Sequence, residues 1–316
     1  MRICLSIEGQ EGVSWDQHLA LARACEENGF EGLFRSDHYA SVFGAADRGS
    51  LNAWAVLAGL ASVTSQLRLG TLVSPVTFRH PTELASLVTT VDHISGGRAE
   101  VGIGAGWWAP DHDAYGFSFP DHGARSEMLA EQLEVIYRLW TEESTTFSGR
   151  HYELETCAAL PKPLQQPHPP IMVGGVAGAN TVEPAARFAN EYNSPAAPLD
   201  ELRTRRKRVA EACEAAGRGP GELIFSVAFP CVVGETEAEV SEREQRVIQR
   251  VERTDELAWF CADRDQAWLV GTPEMIIERL GALEEIGVDR VYFQHHNHDD
   301  LDSVALLGSE VIPALS

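Results

Sequence analysis

The chain has 316 residues, with 25 Lys and Arg against 47 Asp and Glu, a formal charge of −22. Hydrophobic residues at 44% supply a large core and exclude a disordered acidic chain. The excess of acid excludes nucleic acid and anionic membrane as partners, since both are held by clustered Lys and Arg, and the length admits two domains or one α/β barrel, a fold that commonly takes about 250 residues.

The N-terminus, MRICLSIEGQEG, holds an apolar stretch too short for a signal-peptide core. No apolar run approaches the ~18 residues of a membrane span. Residues 2–7 read as a strand. Residues 15–28 read as a helix, in which Leu19 and Ala22, then Leu21, Ala24 and Cys25, recur at helical spacing before Gly29 stops it. A second strand (32–36) and helix (51–63) follow, then a third strand (67–73) and a helix (81–94) with proline in its first turn. The fourth strand is 99–104, with a long helix at 125–140. After a turn-rich, proline-dense stretch the alternation resumes with a strand at 171–174, a helix at 180–189, a brief strand near Tyr192 and a helix at 199–216. Residues 223–233 form the seventh strand and 237–257 a charged helix. A helix at 273–286, an eighth strand at 288–293 and a helix at 301–315 close the chain. Eight strands each trailed by a helix predict an α/β fold, a (β/α)8 TIM barrel, as a single domain over 1–316 with insertions at about 106–123, 141–170 and 257–270. Six scattered cysteines (Cys4, Cys25, Cys157, Cys213, Cys231, Cys261) without a CxxC pair read as reduced thiols of a cytoplasmic protein.

Barrel enzymes place their chemistry in the loops that follow the strands. After the second strand come Ser36, Asp37 and His38. A histidine beside a carboxylate there suits proton transfer, or the pair simply fixes the loop. After the third strand, Ser74 and Thr77 offer small polar groups between Pro75 and Pro81. The segment Gly102-Ile103-Gly104-Ala105-Gly106-Trp107-Trp108 lacks the third glycine of a dinucleotide fingerprint. Tight packing accounts for its glycines but not for two consecutive tryptophans, which offer flat apolar surface to a ligand. Gly174, Gly175, Val176, Ala177 and Gly178 open directly into a helix, where backbone N–H groups and the positive dipole end hold phosphate without lysine; a plain turn is the alternative. His295, His296, His298, Asp299 and Asp300 have the chemistry of metal ligands, but a pocket rim or a capped final helix explains them better. The run Arg203–Arg208 and the charged stretch 235–256 read as solvated helix faces.

In order and spacing, these segments resemble the bacterial-luciferase-like superfamily, and within it the deazaflavin (coenzyme F420)-dependent oxidoreductases, over nearly the whole chain. The resemblance rests on Ser36-Asp37-His38, Gly70-Thr71-Leu72-Val73 through Arg79-His80-Pro81, Ile94-Ser95-Gly96-Gly97-Arg98 and the glycine segment up to Trp107. It continues in His112–Gly116, Pro161-Lys162-Pro163, 169–175, Gly271-Thr272-Pro273-Glu274 and Gly287-Val288-Asp289-Arg290. It implies a cofactor lying across the strand C-termini, coenzyme F420 or alternatively FMN. The ring would lie near Leu72, Val73, Ser74, Gly104, Ala105, Gly106 and Trp107, and the phosphate at Gly174, Gly175, Val176, Ala177 and Gly178. It also implies a non-proline cis peptide at Leu72-Val73 or Val73-Ser74, a small-molecule substrate and a homodimer. His38 would protonate the substrate or hold its oxygen, with Asp37 orienting it.

In the family's sugar-phosphate dehydrogenases an acid stands where this chain has Trp107, which puts oxidation of a sugar phosphate in doubt. The resulting expectation is hydride transfer between F420 and a small organic substrate. The alternatives are an FMN-dependent luciferase-like monooxygenase, a metal-dependent barrel hydrolase using His295, His296 and His298, and a non-catalytic flavin-binding protein.

Overall fold

The computed structural model describes residues 1–45, 47–219, 221–251 and 264–315. Eight parallel strands follow one another around a closed barrel, as the alternation in the sequence predicts. They are β1 (Arg2–Ile7), β2 (Gly32–Arg35), β3 (Arg68–Thr71) with its short continuation β4 (Ser74–Pro75), β5 (Ala99–Gly104), β8 (Ile171–Gly174), β9 (Glu191–Pro195), β10 (Ile224–Val233) and β12 (Arg290–Gln294). Closure comes from β12, which sets Arg290 opposite Arg2 and Gln294 opposite Ser6 of β1. The ring therefore leaves no edge strand. A further short strand, β11 (Leu269–Gly271), pairs with the far end of β10.

Local sequence explains where the surrounding helices begin and end. In α1 (Trp15–Glu27), Ser14 and Gln17 cap each other's backbone N–H. Next, α2 (Ala53–Val63) is capped by Asn52, and α3 (Pro81–Ser95) has proline in its first turn and ends at Gly96 with φ 68°. The ring continues with α5 (His122–Thr141), α6 (Ala179–Phe188), α7 (Leu199–Ala215), α8 (Glu237–Val251) and α10 (Pro273–Glu285). Lys162, from the proline-rich stretch, donates at 2.6 Å to the carbonyls of Leu139 and Glu142 at the end of α5, where a cation suits the helix dipole. None of the described helices is long and apolar enough to cross a membrane.

The insertions carry structure that periodicity did not show. The first holds α4 (Ala109–Tyr115); the second holds the antiparallel hairpin of β6 (Thr145–Ser148) and β7 (Glu153–Cys157). The third lies mostly outside the described residues, which resume with α9 (Arg264–Ala267), and the predicted helix end at 252–257 lies outside them as well. The predicted final helix is composite: α11 (Leu301–Leu306) passes into a π turn (Leu307–Val311) and a 3₁₀ turn (Ile312–Leu315). There Gly308 lies so close to α1 that a Cβ would sit 2.4 Å from Asn28 Cβ. The predicted third strand is broken: it stops at Thr71, turns through a cis Leu72-Val73 peptide and resumes at Ser74 beside β5.

The barrel is filled rather than hollow. Its N-terminal end is sealed by Arg290, whose Nη1 donates to Glu100 at 2.8 Å and Glu191 at 2.9 Å, with Glu31 2.8 Å from its Nε. Arg68 adds a second ion pair to Glu100, and the Tyr292 hydroxyl donates to Glu191 at 2.7 Å. Burial works against the Glu100 charge, but Arg290 and Arg68 hold its carboxyl below the usual range. Above this floor lies an apolar layer of Cys4, Phe34, Met172, Ala228 and Tyr292, capped by Leu72 and Val73. Only the C-terminal mouth is left for chemistry.

Candidate active site

Asp37 and His38 leave β2 in opposite directions. The Asp37 carboxylate takes both Nη atoms of Arg79 and the Ser74 hydroxyl at 2.6 Å, all three side chains being buried. It ties the end of β2 to the segment between β4 and α3, and it does not orient His38 as expected. The partner of His38 is Asp111, in the first turn of α4: Nδ1 lies 2.8 Å from Asp111 Oδ2. The same fully buried carboxylate accepts from the backbone N–H of Tyr39 at 3.0 Å and of Ala40 at 2.8 Å. Because a carboxylate only accepts, Nδ1 carries the hydrogen. Among the described residues Nε2 has no hydrogen-bond partner.

His112, next in sequence, is structural. Its Nδ1 donates to the Trp108 carbonyl at 2.9 Å, so Nε2 accepts from the Thr77 hydroxyl at 2.6 Å. Both nitrogens are thereby used, and α4 is fixed against the β4–α3 loop. Phe78, Phe117 and Phe119 pack on this ring. Trp107 stands edge-on to His38 with ring centroids 6.1 Å apart and is 54% exposed. Trp108 lies behind it at 5.1 Å.

For the glycines of β5 and β8 the packing explanation prevails. A Cβ on Gly102 would lie 2.2 Å from the Thr71 carbonyl oxygen, and one on Gly104 would lie 2.7 Å from Val73 Cγ2. At Gly174 the same atom would meet Val73 Cγ1 at 3.1 Å. These glycines make room for the Leu72-Val73 turn, which projects as a partly exposed apolar shelf across the barrel mouth. Ser74, expected to face the ligand, is buried and spends its hydroxyl on Asp37. Ala105 and Gly106 continue the rim, Gly106 with φ 80°.

The turn after β8 divides its N–H groups. Gly175 donates to the Asn193 carbonyl at 3.0 Å and Ala177 donates to the Tyr192 hydroxyl at 2.8 Å, so these two face inward. Val176 stands 58% exposed, and α6 starts at Gly178 without a side-chain cap, leaving the positive end of its dipole to whatever sits over the turn.

Sequence reasoning missed a carboxylate at the mouth. Glu8, just past β1, accepts from Gln10 Nε2 at 2.8 Å and Gln294 Nε2 at 3.2 Å. Ser36 anchors Gln10 in turn. The available signal was a single acid directly after the first strand, next to the strand that carries His38.

The histidines after β12 are packed inside. His295, His296 and His298 are buried, and burial lowers His295 to about 4 and His296 to about 3. Asp300 caps α11 by accepting from Ser303 N–H at 3.1 Å and pairs with Arg243 at 2.8 Å. Among the described residues no group of three or more His, Cys, Asp or Glu is arranged to hold a metal.

Comparisons with known proteins bear on the family and the fold. An uncharacterized protein of Mycobacterium tuberculosis is 35% identical over 143 residues, which span 45% of this chain and about half (49%) of that relative's length. An FMNH2-dependent dimethylsulfone monooxygenase of Pseudomonas putida is 24% identical over 96% of this chain and 89% of its own. An F420-dependent secondary alcohol dehydrogenase, solved with an F420–acetone adduct, superposes with a TM-score of 0.85 at 19% identity, covering 100% of this chain and 99% of that one. An enzyme named for F420 thus shares the fold, and one named for FMNH2 is similar in sequence. The model of the luciferase-like monooxygenase family matches residues 2–290, and the chain belongs to that family.

Proposed function

We propose that this protein is an oxidoreductase that transfers hydride between coenzyme F420 and a small organic substrate, with His38 moving the accompanying proton. The observation that carries this reading is the His38–Asp111 pair beside the Leu72-Val73 shelf. A carboxylate fixes the ring through Nδ1 and leaves Nε2 without a hydrogen-bond partner among the described residues, free to take a proton from a hydroxyl or, once protonated, to give one to a carbonyl oxygen.

The residues present fit a deazaflavin. The apolar Leu72-Val73 shelf receives a flat ring, and the uncapped start of α6 behind Val176 receives a phosphate without lysine, which suits a chain of charge −22. When bound, the deazaflavin supplies two-electron hydride chemistry. Trp107, edge-on to His38, and Trp108 behind it offer apolar surface that would exclude water from His38 once a ligand is bound. Glu8, held by two amides, adds an acceptor for a substrate hydroxyl.

A second reading, an FMN-dependent monooxygenase, is favoured by the likeness to the dimethylsulfone enzyme along nearly the whole chain. The test is titration of the purified protein with F420 and with reduced and oxidised FMN, followed by tryptophan quenching. The expected outcome is saturable F420 binding at least tenfold tighter than FMN, with His38→Ala preserving that affinity while slowing turnover about 10²–10⁴-fold. Binding of FMN alone would transfer the assignment to the monooxygenase reading.

A further inference from the structure

On the same end of the barrel, beyond the loop that carries His38, a cleft of about 540 Å³ opens between the end of α8 and the loop after β12. That volume is in the range of small-molecule sites. One wall carries Arg48, Arg246 and Arg250, and the other Asn297, Asp299, Asp300 and Asp302. Three guanidiniums on one wall stand out in a chain with 25 basic residues against 47 acidic ones.

Two of the three acids of this cleft are already committed, while Asp302 is exposed in the first turn of α11. Asp299 accepts from Gln17 Nε2 at 2.6 Å, and Asp300 serves Arg243 and the start of α11. Arg48 pairs with the buried Glu11, 3.0 Å away, which also accepts from Ser41 Oγ and from the N–H groups of Val42 and Phe43. Arg250 has no carboxylate within ion-pair distance among the described residues. Its Nη2 reaches the Glu11 carbonyl at 3.4 Å and lies 3.5 Å from His298 Nδ1. Burial, and then the charge of Arg48, lower its guanidinium from the usual value. His298 is itself buried, and its Nε2 has no hydrogen-bond partner among the described residues. A half-buried cation that Asp299 and Glu11 reach only beyond ion-pair distance among the described residues, beside a second cation and an open cleft, leaves room for an anion from outside the chain.

We infer that this cleft is a second ligand site, for a small molecule bearing an oxyanion of the phosphate or carboxylate type, gripped by Arg250 and Arg48 with Asn297 as an uncharged donor. It is separate from the turn after β8 that fits a cofactor phosphate.

The test is isothermal titration of the full chain with inorganic phosphate and, separately, with citrate. Saturable binding of either ion is expected, and which one binds assigns the phosphate or the carboxylate type. Arg250→Met is expected to weaken it at least tenfold, and Arg250→Lys only a few-fold. Val176→Asp, which places a negative charge on the turn after β8, is expected to leave it unchanged. If Arg250→Met does not fold, Arg246→Gln reads the same wall with an expected loss of about threefold, its side chain being 53% exposed. Absence of saturable binding by both ions overturns the inference. So does binding that Val176→Asp abolishes and the arginine variants leave intact.

Discussion

Asp37 and His38 are neighbours in sequence with separate duties, and a pair of substitutions distinguishes them. Asp111→Asn keeps an oxygen for the backbone N–H groups of Tyr39 and Ala40 but presents an uncharged amide to His38 Nδ1. Its expected effect is a fall in kcat of about 10–10³-fold with F420 affinity retained, together with an altered pH profile of kcat. Asp37→Asn instead strands the buried Arg79 guanidinium, and breaking such a pair costs about 3–5 kcal/mol, read as a lower melting temperature. Loss of kcat from Asp37→Asn at unchanged stability, with Asp111→Asn silent, would reverse the two roles. His38 was legible because it follows an apolar run directly. Asp111 was not, because 73 residues separate it from His38 and its short helix has no side-chain cap and too few turns to show periodicity.

Elements were legible where apolar runs are bounded by glycine or proline, as with β1, β5, α3 and α10. They were lost where tertiary packing decides. Residues 67–73 are apolar enough to read as one strand, and what breaks it is the room left by Gly102, Gly104 and Gly174 on neighbouring strands, a relation no local pattern contains. That account has a measurable consequence. Gly104→Ala places a methyl 2.7 Å from Val73 Cγ2 and is expected to cost about 1–3 kcal/mol in denaturant unfolding. Val73→Ala in the same chain removes the clashing methyls, so the double variant is expected to be more stable than the sum of the single losses. Strict additivity would mean that Val73 is not what Gly104 accommodates.

At the scale of the molecule, buried histidines govern the response to acid. Burial lowers His18 and His295 from 6.5 to about 4, and His298 falls well below its ordinary value. Each is neutral in the native state and takes up a proton below about pH 6.5 once unfolded. Stability is therefore complete above that pH and is lost as the pH falls toward 4. At ~1.4 kcal/mol per pH unit, His18 and His295 alone each withdraw ~3 kcal/mol over that window. Unfolding midpoints measured from pH 7 to pH 4.5 are expected to drop steeply, and a flat profile would contradict the burial described. The −22 charge was legible from composition; these buried histidines were not, since packing buries His18 on α1 and the closed ring turns the residues after β12 inside.

The Arg290 seal at the barrel floor has a kinetic consequence. With that end shut among the described residues, the mouth is the approach to the barrel, and if the proposed cofactor and substrate sit in tandem there, neither can overtake the other. The deeper one must arrive first and depart last. Turnover is accordingly expected to follow a compulsory order, seen as product inhibition competitive against only one of the two reactants, and a random-order pattern would require a back entrance that Arg290, Glu100 and Glu191 deny.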